Sequence, residues 1–139
     1  MNVKPQLNKI LYVEDEADIR EVGQIGLEDV AGFTLRVCES GMVALEALRD
    51  FAPDMFLLDV MMPQMDGITL YGKIREKSGF AHTPVVFMTA RVQPSDIARY
   101  MDLGAAGVIA KPFDPMSLGT QLTALWDQHH ADHSARAAT

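Results

Sequence analysis

Five short apolar runs alternate with five stretches of helical spacing, and this alternation restricts what the 139-residue chain can fold into more than any other feature. The runs are Ile10-Leu11-Tyr12-Val13, Phe33-Thr34-Leu35-Arg36-Val37, Met55-Phe56-Leu57-Leu58, Val85-Val86-Phe87-Met88 and Gly107-Val108-Ile109-Ala110. All but the second are apolar at consecutive positions, as strands buried on both faces must be. Thr34 and Arg36 make the second run suited to a sheet edge. Between the runs, Ile19, Val22, Ile25 and Val30 recur at helical spacing, and Ser40 is placed to cap a helix carrying Val43, Leu45 and Leu48. Asp66-Gly67 opens a third helix that stops near Gly79. Pro94-Ser95-Asp96 opens a fourth that Gly104 ends, and Asp114-Pro115 a fifth carrying Met116, Leu118, Leu122, Leu125 and Trp126. Strand and helix in strict alternation demand right-handed crossovers and a layered α/β sheet.

An open parallel sheet binds ligands beyond the carboxyl ends of its strands, so the residues that end each run matter most. The first run leads into Glu14-Asp15-Glu16, the third into Asp59, the fourth into Thr89-Ala90 and the fifth into Lys111-Pro112-Phe113. Carboxylates, a hydroxyl and an ammonium therefore converge on one edge. Glu14, Asp15 and Asp59 held together repel one another unless a cation joins them. Hard oxygen ligands in a compact group suit Mg²⁺, which takes one or two carboxylates and keeps sites open for a phosphate oxygen. Lys111 offers a point charge for a second phosphoryl oxygen and Thr89 a hydrogen bond for a third. A carboxylate is also a competent nucleophile toward phosphorus, and the cations neutralise the charge of the transferred group.

Ile10 to Glu16, Leu57-Leu58-Asp59 through Asp66-Gly67, Thr89-Ala90 and Lys111-Pro112-Phe113, in this order and each at a strand end, resemble the receiver domain of two-component response regulators. The resemblance spans about Lys9 to Asp127. It implies a flavodoxin-like, doubly wound five-stranded parallel sheet of order 2-1-3-4-5 with five helices. It makes Asp59 the phosphoacceptor, places Glu14, Asp15, Asp59 and the backbone carbonyl of Met61 around Mg²⁺, and gives Thr89 and Lys111 to the phosphoryl group. It implies a cis Lys111-Pro112 bond, and donor docking on the first helix (Ile19, Val22) and the Pro112-Phe113 loop. It also sets Met61 and Arg91 beside the path of the hydrolytic water, where a thioether and a long cation slow loss of the phosphoryl group. Two positions depart from the common pattern. Glu14 stands where the family most often has Asp, and Val108 stands where many receivers carry a Tyr or Phe ring that turns inward on activation.

The expected function is a phosphoacceptor switch, not an enzyme in the usual sense. A histidine kinase or histidine phosphotransfer protein donates the phosphoryl group, and the signal leaves through a downstream protein target. The expected domain plan is an N-terminal extension over 1–8, the receiver over 9–127 and a flexible C-terminal tail over 128–139, with no output domain. The expected state is a monomer or weak phosphorylation-dependent dimer. With 12 Lys and Arg against 19 Asp and Glu the net charge is -7, which lacks the footprint of a nucleic-acid binder. No run is long enough to span a membrane and no signal-peptide core is present, so a cytoplasmic location is expected. Cys38 is alone and is read as a packed residue, and His129, His130 and His133 as a solvated tail. A degenerate receiver serving as a phosphorylation-independent adaptor is the alternative that Val108 keeps open. An aspartate-nucleophile phosphatase is the other. Phosphatases of that kind carry a second Asp two residues after the nucleophile, a position that Met61 fills here.

Overall fold

The computed structural model describes residues 5–138, with side chains as far as Asp132. Of the expected N-terminal extension, residues 1–4 lie outside the described residues. Strands β1 (Lys9–Val13), β2 (Thr34–Cys38), β3 (Met55–Asp59), β4 (Val85–Thr89) and β5 (Gly107–Ala110) form one parallel sheet in the order β2-β1-β3-β4-β5. They alternate with α1 (Ala17–Gln24), α2 (Gly41–Ala47), α3 (Gly67–Glu76), α4 (Pro94–Leu103) and α5 (Leu118–Ala138). The order reverses between β1 and β3, which makes the carboxyl ends of these two strands the topological switch point.

The core lies on both faces of the sheet. On one face Leu11, Val13, Phe56, Leu58 and Phe87 pack with Ala44, Leu70, Ile74 and Tyr100 from α2, α3 and α4. On the other, Ile10, Tyr12, Leu57, Val86 and Met88 meet Leu27, Leu118, Leu122 and Trp126. Every residue of β3 and β4 is buried, and each large apolar side chain so removed from water contributes about 1.5–3 kcal/mol. β2, at the edge, keeps a part-exposed pattern and ends in buried Cys38, whose thiol burial pushes up to about 11.

Several helix faces differ from the expected stripes. On the first helix, Gly23, Gly26 and Leu27 face inward, while Val22, Ile25 and Val30 are exposed at 41%, 45% and 43%. The cause is close approach: a Cβ at Gly23 would lie 2.5 Å from the Tyr12 hydroxyl, and one at Gly26 2.7 Å from the Pro115 carbonyl oxygen. Past Gln24 the helix widens into a π-helical segment, Ile25–Val30, which moves the apolar positions further round. In α2 the buried positions are Gly41, Ala44 and Ala47, and Val43 faces outward. In α4 only Tyr100 is buried, leaving Ile97, Met101 and Leu103 exposed.

The caps follow the sequence closely. Ser40 Oγ accepts from the Val43 amide at 3.2 Å and Asp66 Oδ1 from the Thr69 amide at 2.7 Å. Gly104 ends α4 at φ 107°, a left-handed geometry that suits glycine. α5 begins at Leu118, after a turn in which Asp114 Oδ1 accepts from the Met116 amide at 3.0 Å. It does not stop where the apolar stripe ends at Asp127 but runs on as helix through Ala138, through a stretch without Gly or Pro. His129 and His130 are half-buried, not solvated, and the His130 ring lies 4.1 Å from that of Trp126. Trp126 Nε1 in turn donates to the Pro5 carbonyl at 2.9 Å, which ties the N-terminal segment to α5.

Candidate functional site

Four strand ends build the site. Asp59 is the last residue of β3 and Thr89 the last of β4, while Glu14 follows β1 and Lys111 follows β5. The register sets Met88 opposite Asp59, so Thr89 lies one step further along the same edge. α3 starts close beneath: the Gly67 amide donates to the Val60 carbonyl at 3.0 Å, and a Cβ at Gly67 would collide with the Asp59 carbonyl oxygen.

Glu14, Asp59 and Thr89 are polar residues buried at this edge. Lys111 Nζ reaches in to Glu14 Oε1 at 2.6 Å and to Asp59 Oδ1 at 3.1 Å. Lys111 is therefore shared between the two carboxylates, and Glu14 is the nearer partner. Burial above all, and then contact with the Glu14 carboxyl and its charge, hold the Asp59 carboxyl up at about 7, with Lys111 pulling the other way. Burial alone would lower the Lys111 ammonium, but Glu14 and Asp59 outweigh it and raise its pKa. The Thr89 hydroxyl accepts from the Arg91 amide at 3.0 Å. The Lys111-Pro112 peptide is cis.

Glu14, Asp15 and Asp59 each offer a carboxylate oxygen within 4.8 Å of the others. Asp15 Oδ1 is buried without a hydrogen-bond partner, a costly state for a carboxylate oxygen that a cation would relieve. An all-oxygen set with an orphaned carboxylate fits Mg²⁺. A groove of about 570 Å³ opens beside Asp59 and Lys111, walled by Ile19, Val22, Met61, Pro112 and Phe113. Val108 is half-buried against the core on the α3 side, where Tyr71, Phe87 and Tyr100 stack at 5.7 and 5.5 Å between ring centres.

One contributor escaped the sequence. Arg20 Nη1 donates from α1 to the carbonyls of Glu14 at 2.8 Å and Asp15 at 3.2 Å. Its only trace in the sequence is a basic residue one helical turn into α1, which reads as surface.

An aspartate paired with lysine at the switch point of a 2-1-3-4-5 sheet, with two further carboxylates at hand, defines a class of site shared by known proteins. The family model of the response regulator receiver domain matches residues 10–123. The transcriptional regulatory protein CseB of Streptomyces avermitilis is 38% identical over 116 residues, covering 84% of this chain and 48% of that protein. The DNA-binding response regulator MtrA of Mycobacterium tuberculosis is 37% identical over 116 residues, covering 84% of this chain and 49% of its own length. The chemotaxis response regulator CheY4 of Vibrio cholerae superimposes with a TM-score of 0.78 at 29% identity, covering 86% of this chain and 99% of that one. The chain belongs to the receiver-domain family of two-component response regulators. It spans about half the length of the curated relatives it matches. Receiver domains are signalling domains, and no helix among the described residues is long and apolar enough to cross a membrane.

Proposed function

We propose that this receiver is a phosphoacceptor switch in which Asp59 takes a phosphoryl group from a phosphohistidine of a kinase or phosphotransfer protein. The observation that carries the reading is the buried Asp59 carboxylate, paired with Lys111 and lying within 4.8 Å of two more carboxylates. In the transfer an Asp59 oxygen bonds to phosphorus as the phosphorus–nitrogen bond to the donor imidazole breaks, and the electron pair returns to the ring. The product is an acyl phosphate on Asp59. Lys111 and Thr89 hold phosphoryl oxygens; the Thr89 hydroxyl, which accepts from the Arg91 amide, keeps its own proton to donate. Glu14, Asp15, Asp59 and the Met61 carbonyl would hold Mg²⁺, which supplies charge neutralisation for the transferred group.

The exposed Val22 and Ile25 and the groove formed with Pro112 and Phe113 give the donor a docking face continuous with Asp59. The receiver spans about 9–127 and acts in the cytoplasm, as a monomer or weak phosphorylation-dependent dimer. It promotes only its own phosphorylation and dephosphorylation and signals by protein contact. The net charge of -7 argues against nucleic-acid contact by this domain itself. The test is intact mass after incubation with Mg²⁺ and a small acyl phosphate donor. Gain of one phosphoryl group by the wild type and none by Asp59→Asn is expected. No gain in either leaves the adaptor reading, and multiple turnover of a phosphate ester would favour a phosphatase.

A further inference from the structure

We propose that Arg20 is a positioning residue for the metal-binding carboxylates, a clamp that holds the loop carrying Glu14 and Asp15 in the form that binds Mg²⁺. The inference rests on the metal reading above. Arg20 sits in the first turns of α1, half-buried, and its Nη1 bridges two successive carbonyl oxygens, those of Glu14 and Asp15. The rest of the loop is held at other points. The Glu14 amide donates to the Cys38 carbonyl at 3.1 Å, which extends the β1–β2 ladder, and the Glu16 amide donates to Glu14 Oε2 at 3.2 Å. Arg20 alone among the described residues joins the carbonyls of both acids to one side chain. With its carbonyl fixed from behind, Asp15 keeps Oδ1 buried and without a donor, an arrangement a free loop would relax by turning that oxygen to water.

Electrostatics alone predicts the opposite role. A guanidinium near a cluster of carboxylates competes with a divalent cation, and its removal would tighten Mg²⁺ binding. A positioning role weakens binding on removal, by about 10- to 100-fold for groups that orient metal ligands. The sign of the effect therefore separates the two.

The experiment is calorimetric titration of the intact chain with MgCl₂ at pH 8 for the wild type, Arg20→Met and Arg20→Lys, with thermal unfolding and amide exchange of the metal-free proteins alongside. Arg20→Met keeps the aliphatic stem and removes the donor. It is expected to raise the Mg²⁺ dissociation constant about 10- to 100-fold and to speed exchange at the hydrogen-bonded amides of Glu14 and Glu16 about tenfold. Arg20→Lys, which restores a cationic donor, is expected to recover part of both. Unchanged or tighter Mg²⁺ binding by Arg20→Met overturns the proposal, whether or not its melting temperature falls. If the wild type binds no Mg²⁺, the metal reading itself fails. Unaltered exchange at Glu14 and Glu16 in Arg20→Met would separately refute the clamp.

Discussion

Replacing Asp59 by asparagine keeps the shape of the side chain and removes one buried charge, so in the absence of metal it should stabilise the protein at neutral pH. Burial raises the folded-state pKa of Asp59 from 3.8 to about 7. A group raised in this way leaves stability intact below its unfolded value and takes it away as pH climbs through the folded one. The wild type should therefore lose stability between about pH 4 and pH 7, and the variant, with nothing to ionise there, should not. At about 1.36 kcal/mol per unit the shift sets a ceiling of about 4 kcal/mol. Solvent screening through the open groove brings the expectation to about 1–3 kcal/mol. For a chain of this size that is a rise of about 3–12 °C in Tm at pH 8. Lys111 keeps its bond to Glu14 at 2.6 Å in the variant, so no cation is orphaned. Urea unfolding followed by the emission of Trp126, the single tryptophan, measures the difference from pH 5 to 8.5 in a chelator. Mg²⁺ should then close the gap from the wild-type side, by about 2.7 kcal/mol at a hundred times its dissociation constant. A variant no more stable than the wild type at pH 8, or a gap that does not shrink toward pH 5, would refute the reasoning.

Gly104→Ala should destabilise by about 1–2 kcal/mol in urea unfolding, because φ is 107° and the new methyl would lie 2.6 Å from the Tyr71 hydroxyl. Cys38, buried and pushed up to about 11, should react with iodoacetamide at pH 8 about 100-fold more slowly in the native protein than in urea; equal rates would show the thiol to be accessible. Met61 is 60% exposed and walls the groove beside Asp59, so Met61→Ala should shorten the lifetime of the phosphorylated protein about 3- to 10-fold, or about 1 kcal/mol of barrier. Decay at the wild-type rate would remove Met61 as a shield.

What could be read from the sequence depended on how far each residue's setting is local. β1, β3 and β4 announce themselves because burial on two faces leaves room only for consecutive apolar residues, and the polar residue that ends each run then marks the site edge. The caps at Ser40, Asp66 and Gly104 are local backbone chemistry and were equally legible. The α1 face was not. Spacing identifies Val22 and Ile25 as an apolar stripe, but glycines at 23 and 26 set that stripe outward, and no periodicity rule weighs a missing Cβ. Arg20 was missed for a related reason, since its partners are carbonyl oxygens, which every residue has. The helical course of α5 past Asp127 was hidden because the stripe stops there, although the backbone ladder does not need one.

The two glycines on the first helix act as a gauge. With no Cβ at Gly23 or at Gly26, the helix rests on the Tyr12 ring and on the Pro115 backbone, and the height of its outer face is set by two absent methyl groups. A methyl at either position would push the helix outward, and with it the face proposed above for donor docking, away from Asp59. Here the spacing between the outer face of the first helix and Asp59 is set by what the sequence leaves out.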